Sequence, residues 1–83
     1  MDTINQIINQ INEMGYAEKM TLNEANTAKI IGVSSSTLAN WRKENLGPSF
    51  IKMNTGKKGK ILYPKQSIAE WLNLNEVQNV KKR

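Results

Sequence analysis

Cysteine and histidine are both absent from the 83 residues. Without cysteine no disulfide can form, and without either residue the usual ligand sets for zinc and copper cannot be assembled. The sequence also has no Gly-x-x-x-x-Gly-Lys-Ser/Thr phosphate-binding loop and no cluster of carboxylates. No general base, nucleophile or metal cage can be assembled convincingly from what remains. We therefore expect a non-enzymatic protein with no catalytic residues, no metal and no cofactor.

Long apolar runs are absent as well. No segment approaches the roughly 20 apolar residues that span a membrane, and the first residues lack the basic-then-apolar order of a secretory signal. A chain of 83 residues is enough for one small domain with a modest apolar core. The sequence therefore predicts a soluble intracellular protein without a membrane partner.

Charge is distributed unevenly along the chain. Residues 1–40 carry two lysines and four acidic side chains, a net −2, whereas residues 41–83 carry ten cations and three acids, a net +7. From Lys52 to Lys65 there are five lysines and no acid. This density suits a polyanion such as nucleic acid or an acidic membrane, and the alternative is a solvated loop whose lysines serve solubility.

The N-terminal stretch predicts an amphipathic helix that begins after Asp2 or Thr3 and stops at Gly15. Its apolar residues recur at helical spacing on one face: Ile4, Ile7, Ile8, Ile11 and Met14. The opposite face is polar but uncharged, unlike the Lys-rich face of a membrane-surface helix. Two interpretations stay open, an extra helix packed on its own domain and a surface for self-association.

A second helix is predicted over residues 22–31. Thr21 and Glu24 have the spacing of a capping box, in which a hydroxyl and a carboxylate satisfy amides at the start of a helix. Gly32 can adopt the positive φ that ends a helix abruptly. Ser34 is then well suited to cap a third helix over residues 35–44.

These two helices have the spacing of a helix-turn-helix. Ala28, four residues before Gly32, allows the helices to cross closely, and the apolar positions that hold them at a steep angle are Ile31, Val33, Leu38 and Trp41. Thr27 lies where such motifs more often have an aliphatic residue. A generic corner of two helices is the alternative interpretation.

The outward face of the 35–44 helix is suited to a DNA groove. With Leu38 and Trp41 turned inward, its outer side presents small and polar residues: Ser35, Ser36, Ala39, Asn40 and Lys43. A helix in the major groove needs small residues for close approach, an amide that can pair with adenine, and cations for phosphates. This helix has all three, whereas an ordinary solvated helix tends to be covered with Glu and Lys.

A β-hairpin and a last helix follow. Gly47 and Pro48 interrupt the chain, residues 50–53 and 60–63 read as short strands, and the lysine- and glycine-rich tip is 54–59. Beside a helix-turn-helix such a hairpin is a wing. The last helix is predicted to begin near Pro64 or Lys65 and to turn an apolar side inward, formed by Ile68, Trp71 and Leu72.

The stretch from Thr21 to Leu72 resembles the small winged helix-turn-helix domains of the excisionase and MerR-like group, which includes prophage regulatory proteins. The shared features are a hydroxyl-capped first helix, Ala-x-x-x-Gly-Val-Ser, Thr-Leu-x-x-Trp, Gly-Pro before the first strand, and Tyr before a helix that ends in Trp-Leu. Ala39 and Asn40 depart from the group, which often has basic residues there. The resemblance implies a mainly α domain with a small β-hairpin, here preceded by an extra helix.

Three segments follow from these observations: an N-terminal helix and linker (1–20), a winged helix-turn-helix domain (21–73), and a polar basic tail (74–83). The first part of the tail can extend the last helix by a turn or two, and its end is expected to be disordered and to serve solubility. The expected base contacts are the five outward residues of the 35–44 helix. The expected backbone contacts are Thr37, Arg42, Lys52, Lys57, Lys58, Lys60 and Lys65.

The expected partner is double-stranded DNA, bound in a sequence-specific manner in the bacterial cytoplasm and nucleoid. A single recognition helix covers too few base pairs for genomic specificity, so we expect a homodimer or cooperative tandem binding. Two roles stay open. The protein is either a transcription regulator with RNA polymerase as a partner or an excision factor with an integrase as a partner. The alternative from another class is a protein-interaction adaptor that docks a partner through the N-terminal helix.

Overall fold

The computed structural model describes residues 3–55 and 58–81, with the backbone alone for residues 55, 58 and 76–81. The elements in chain order are α1 (Thr3–Ile11), a π-helical segment (Asn12–Tyr16), β1 (Thr21–Leu22), α2 (Glu24–Ile31), α3 (Ser35–Lys43), β2 (Ile51–Thr55), β3 (Lys58–Pro64) and α4 (Lys65–Lys81). This order confirms the predicted winged helix-turn-helix with an additional N-terminal helix.

The sheet has three antiparallel strands in the order β1-β3-β2. In the β2–β3 hairpin, which we call the wing, Ile51 pairs with Leu62 and Met53 pairs with Lys60. β1 was not predicted, because two residues are too short to show an alternating pattern. Its Leu22 pairs with Tyr63 of β3, and this pairing ties the start of the helix-turn-helix to the wing.

The predicted capping box at the start of α2 is wrong. Thr21 belongs to β1, and the N-cap is Asn23, whose side-chain oxygen accepts a 2.7 Å hydrogen bond from the Asn26 amide. Glu24 is thereby released from capping and is available for contacts elsewhere. Thr27, at the position where an aliphatic residue is more usual, is fully buried, and its hydroxyl donates to the Asn23 carbonyl at 2.8 Å. This hydrogen bond satisfies a buried polar group next to the cap.

The turn and the recognition helix follow the sequence prediction closely. Gly32 ends α2 with φ 96°, and its amide donates to the Ala28 carbonyl at 2.7 Å. Ser34 caps α3 by accepting from the Thr37 amide. α3 ends where Asn45 adopts φ 61° and the Leu46 amide donates to the Trp41 carbonyl at 2.7 Å. The chain therefore leaves the helix before Gly47 and Pro48, the residues that predicted its end.

The core lies between the helix-turn-helix, the sheet and the two outer helices. Its buried side chains come from every part of the chain: Ile11, Leu22, Ala28, Leu38, Tyr63 and Ile68. Trp41 and Trp71 pack together with ring centroids 5.5 Å apart. A Cβ on Gly47 would lie 3.3 Å from the Trp41 ring, so this glycine allows the loop after α3 to lie against that ring.

α1 packs against α4 within the same chain. Ile11 is buried, the side chains of Ile4, Ile7 and Ile8 are half-buried, and Met14 alone of the five stripe residues is exposed. Of the two interpretations of this stripe, the structure therefore favours the helix packed on its own domain. Burial of Ile11 within the chain stabilises the monomer, and self-association through the partly exposed residues of the stripe stays a prediction.

The last helix extends past residue 73, in the direction that the sequence predicted. α4 continues to Lys81. At the other end of the chain, α1 contacts α4. The division into the segments 1–20, 21–73 and 74–83 stays a prediction. Within the described residues no helix combines the length and the apolarity that crossing a membrane requires.

We predict that Ile11→Ala lowers the free energy of unfolding by about 2–5 kcal/mol, because it leaves a cavity in the core. Met14→Ala, in the helical segment that directly follows α1, is the matched control. It should change the free energy of unfolding by less than about 0.5 kcal/mol, because Met14 is exposed. Chemical denaturation at two protein concentrations measures both. If the stripe served only for self-association, the denaturation midpoint would depend on protein concentration, and the two substitutions would have similar effects on the free energy of unfolding.

Candidate nucleic-acid interface

The outer face of α3 is the centre of the candidate interface. Ser36, Asn40 and Lys43 follow one another at i, i+4 and i+7, which places them on one side of the helix. All three are exposed, Ser35 is exposed at the margin, and Ala39 is half-buried. The opposite side of the helix is held down by Leu38, which is buried. The sequence-predicted base-contacting residues are therefore brought together on one surface.

Hydroxyl groups organise the N-terminal end of this face. The Ser34 hydroxyl accepts from the Thr37 amide at 3.1 Å and donates to the Thr37 hydroxyl at 2.8 Å, and it lies 3.2 Å from the Ser36 hydroxyl. Thr37 is half-buried. Its hydroxyl therefore serves the helix cap, and its predicted contact with the DNA backbone stays a prediction.

Arg42, which was predicted to contact the DNA backbone, is turned toward its own protein in the free chain. Its Nε donates to Glu24 Oε2 at 2.9 Å and its Nη2 to Glu24 Oε1 at 3.4 Å. The Tyr63 hydroxyl donates to the same Oε2 at 2.9 Å. Arg42 Cζ also lies 5.9 Å from the centre of the Phe50 ring. Arg42 is thus engaged with Glu24 because the carboxylate matches its two donors and lies beside α3.

The contacts among Glu24, Arg42 and Tyr63 determine the pKa of each group. Burial by itself raises the pKa of Glu24, but hydrogen bonds from Arg42 and Tyr63 and the charge of Arg42 outweigh it, so the pKa lies below the ordinary 4.5. The hydrogen bond to Glu24 likewise raises the pKa of Arg42. Burial, with the hydrogen bond to Glu24, raises the pKa of Tyr63 to about 12. The carboxylate is therefore charged and the phenol neutral across the physiological range.

The wing lysines do not all share one surface. Lys52 pairs with Ile61 whereas Lys60 pairs with Met53, so Lys52 and Lys60 lie on opposite faces of the hairpin. Both are exposed. The aliphatic end of Lys52 passes near Gly59, where an added Cβ would meet its Cε at 3.5 Å. The side chains of Lys57 and Lys58, the other two predicted wing contacts, lie outside the described part of the chain.

Lys65 was also predicted to contact the DNA backbone. In the structure its ammonium makes hydrogen bonds within the protein. Its Nζ donates to the Asn12 side-chain oxygen and to the Tyr16 carbonyl, the latter at 3.1 Å. These groups lie in the π-helical segment after α1. The ammonium is thus bound by carbonyl-type oxygens at the end of the N-terminal helical segment, where the helix dipole favours a cation, and its contact with the DNA backbone stays a prediction.

Glu24 and Tyr63 are the site residues that sequence reasoning missed. Glu24 had been assigned to a capping box, and Tyr63 to a strand. Arg42 is 18 residues from Glu24, and Tyr63 is 39 residues from it. No helical or strand periodicity connects positions at such distances. The one sequence feature that could have indicated this contact is the position of Arg42, which lies between the outward face of α3 and its inward residues.

These features define a winged helix-turn-helix protein whose recognition helix presents small, amide and cationic side chains to the outside. The family model of the helix-turn-helix domain matches residues 20–75, more than half of the chain. The chain therefore belongs to the helix-turn-helix domain family and is a small DNA-binding domain of this class, which confirms the resemblance at that level. Comparison with curated proteins and with solved structures gave no match.

We predict that the contribution of Glu24 to stability is present above pH 4.5 and is lost as the pH falls through its lowered folded-state pKa. The unfolded chain binds that proton first, so acid favours unfolding. The difference in free energy of unfolding between the wild type and Glu24→Gln should be constant from about pH 5 to 9 and should shrink in acid. Denaturation at each pH measures it. A difference that persists to about pH 2 would contradict the assigned contacts.

Proposed function

We propose that this protein binds double-stranded DNA in a sequence-specific manner, with α3 in the major groove and the wing on the flanking backbone. The observation that carries the proposal is the exposed surface formed by Ser36, Asn40 and Lys43 on the side of α3 opposite buried Leu38. In this proposal the Asn40 amide reads an adenine, Ser35 and Ser36 contact a base edge or a phosphate, and Ala39 contacts a thymine methyl. Lys43 contacts a phosphate.

Two biological roles fit this binding mode. A transcription regulator would occupy a promoter, often through inverted half-sites, and would have RNA polymerase as a partner. An excision factor of a mobile element, such as a prophage, would load on direct repeats beside an attachment site and would have an integrase as a partner. One recognition helix reads few base pairs, so either role calls for a dimer or for adjacent copies.

The packing of the N-terminal stripe supports DNA binding over the adaptor alternative. An adaptor would dock through the N-terminal stripe, but Ile11 is buried in the core and Ile7 packs against it. Nor would an adaptor need the lysines of the wing. DNA binding accounts for the exposed face of α3 and for the excess of cations in the second half of the chain.

The experiment that tests the proposal is selection of bound duplexes from a random DNA library near physiological salt, followed by sequencing. An enriched motif is expected. Inverted halves would favour the regulator, and direct repeats would favour the excision factor. Retention without any enriched motif would refute sequence-specific recognition by α3.

Asn40→Ala should relax the preference at one base pair, with a loss of about 1–3 kcal/mol of discrimination, because the amide can no longer pair with a base edge. Asn9→Ala, an exposed asparagine of α1, is the control and should leave the selected motif unchanged. Repeating the selection with each variant measures this. An unchanged motif for Asn40→Ala would contradict the assigned contact.

Removing a wing lysine should weaken binding to all sequences alike. Lys60→Ala should lower the slope of log affinity against log salt by about 0.9, the value for one lost phosphate contact. Lys19→Ala removes an exposed lysine from the N-terminal half and should leave the slope unchanged. Titration of one duplex at several salt concentrations measures both. A changed base preference with an intact slope would contradict the assignment of Lys60 to the backbone.

A further inference from the structure

Three elements of the DNA-binding unit meet at one carboxylate. Glu24 is the first residue of α2, Arg42 lies in the last turn of α3, and Tyr63 lies near the end of β3. Arg42 Nε and the Tyr63 hydroxyl both donate to Glu24 Oε2, each at 2.9 Å. The Phe50 ring, just before β2, lies against both Arg42 and Tyr63. The cluster therefore connects the recognition helix with α2, with β3 and with the residue that precedes β2.

Arg42 and Lys43 are adjacent cations with different surroundings. Lys43 is exposed, whereas the Arg42 side chain retains 22% of its exposure and so does that of Glu24. At about 100° per residue, Arg42 projects roughly 160° away from Asn40 around the helix, whereas Lys43 projects only about 60° from it. Arg42 thus lies at the Ser35 margin of the proposed base-reading face, about 20° from Ser35 around the helix, whereas Lys43 lies near the middle of that face.

The geometry of the contact restricts rotation of α3. The apolar side chains that hold this nine-residue helix, among them buried Leu38, attract their neighbours without a preferred direction. The two hydrogen bonds from Arg42 to the two oxygens of one carboxylate are directional. A rotation of α3 about its axis would break them and would also move Ser36 and Asn40 relative to the wing.

We propose that Arg42, held by Glu24 and Tyr63, is a positioning residue that fixes the rotation of the recognition helix and thereby determines sequence preference without itself contacting DNA. The inference rests on the proposed sequence-specific binding. It assigns the two adjacent cations opposite roles: Arg42 acts on the preference among sequences, and Lys43 acts on the general attraction to DNA.

The test compares Arg42→Ala with Lys43→Ala. Affinities are measured for the selected duplex and for a scrambled duplex of equal length over a range of salt concentrations. Arg42→Ala should lower the ratio of the two affinities about tenfold, the scale of one lost base contact, and should leave the salt slope on both duplexes unchanged. Lys43→Ala should weaken both duplexes and lower the slope by about 0.9. A slope lowered equally by the two substitutions would overturn the inference.

Variants that retain a cation at position 42 distinguish an effect on helix position from the loss of a positive charge. Tyr63→Phe removes one hydroxyl, and Glu24→Gln removes the carboxylate charge while Arg42 remains. Both should lower the affinity ratio. Arg42→Lys keeps the charge without the two-pronged donor, and we expect it not to restore the ratio. If Arg42 were a phosphate contact, Glu24→Gln would free it, the affinity for the scrambled duplex would rise, and the inference would fail.

Folding and the proposed function are controlled separately. Circular dichroism and thermal unfolding identify the temperature range in which each variant is folded, and affinities are compared only within that range. A wild-type protein without an enriched motif would refute the proposed function itself. A wild type with a motif and Arg42 and Glu24 variants with an unchanged affinity ratio would refute this inference alone.

Discussion

The Glu24 carboxylate is the contact on which the relative placement of the recognition helix and the sheet depends. It accepts hydrogen bonds from α3 through Arg42 and from β3 through Tyr63. The apolar core contains few fully buried side chains, and apolar packing has no strong directional preference. The charged, hydrogen-bonded cluster at the junction of α2, α3 and β3 therefore fixes the orientation of α3 relative to the sheet more strongly than the apolar core does by itself. The Glu24 carboxylate is charged and the Tyr63 phenol is neutral at physiological pH, because the pKa of Glu24 is lowered and that of Tyr63 is raised to about 12.

Basic residues in this protein have distinct roles that a count of charges does not show. Lys43, Lys52 and Lys60 are exposed. Arg42 instead orients α3, and Lys65 binds the carbonyl end of the N-terminal helical segment. Each of the latter two cations has a hydrogen-bond acceptor close by within the fold.

Local signals predicted much of the architecture. The Ser34 cap and Gly32 located α3 and the preceding turn, because cap and turn residues act within a few positions of themselves. Helical periodicity identified buried Leu38 and Ile68. The same local reasoning assigned the cap of α2 to Thr21. That assignment failed because pairing of Leu22 with Tyr63 draws Thr21 into a strand and leaves Asn23 as the cap.

The sequence by itself determined the helix-turn-helix, the wing and the outward face of α3, since each follows from periodicity or turn chemistry within one segment. Only the tertiary structure decided which cations remain on the surface and that the N-terminal stripe packs within its own chain. The ion pair joins residues 18 positions apart, the tyrosine contact joins residues 39 apart, and α1 meets α4 from opposite ends of the chain. Such contacts depend on the three-dimensional arrangement of complete elements, which no local spacing encodes.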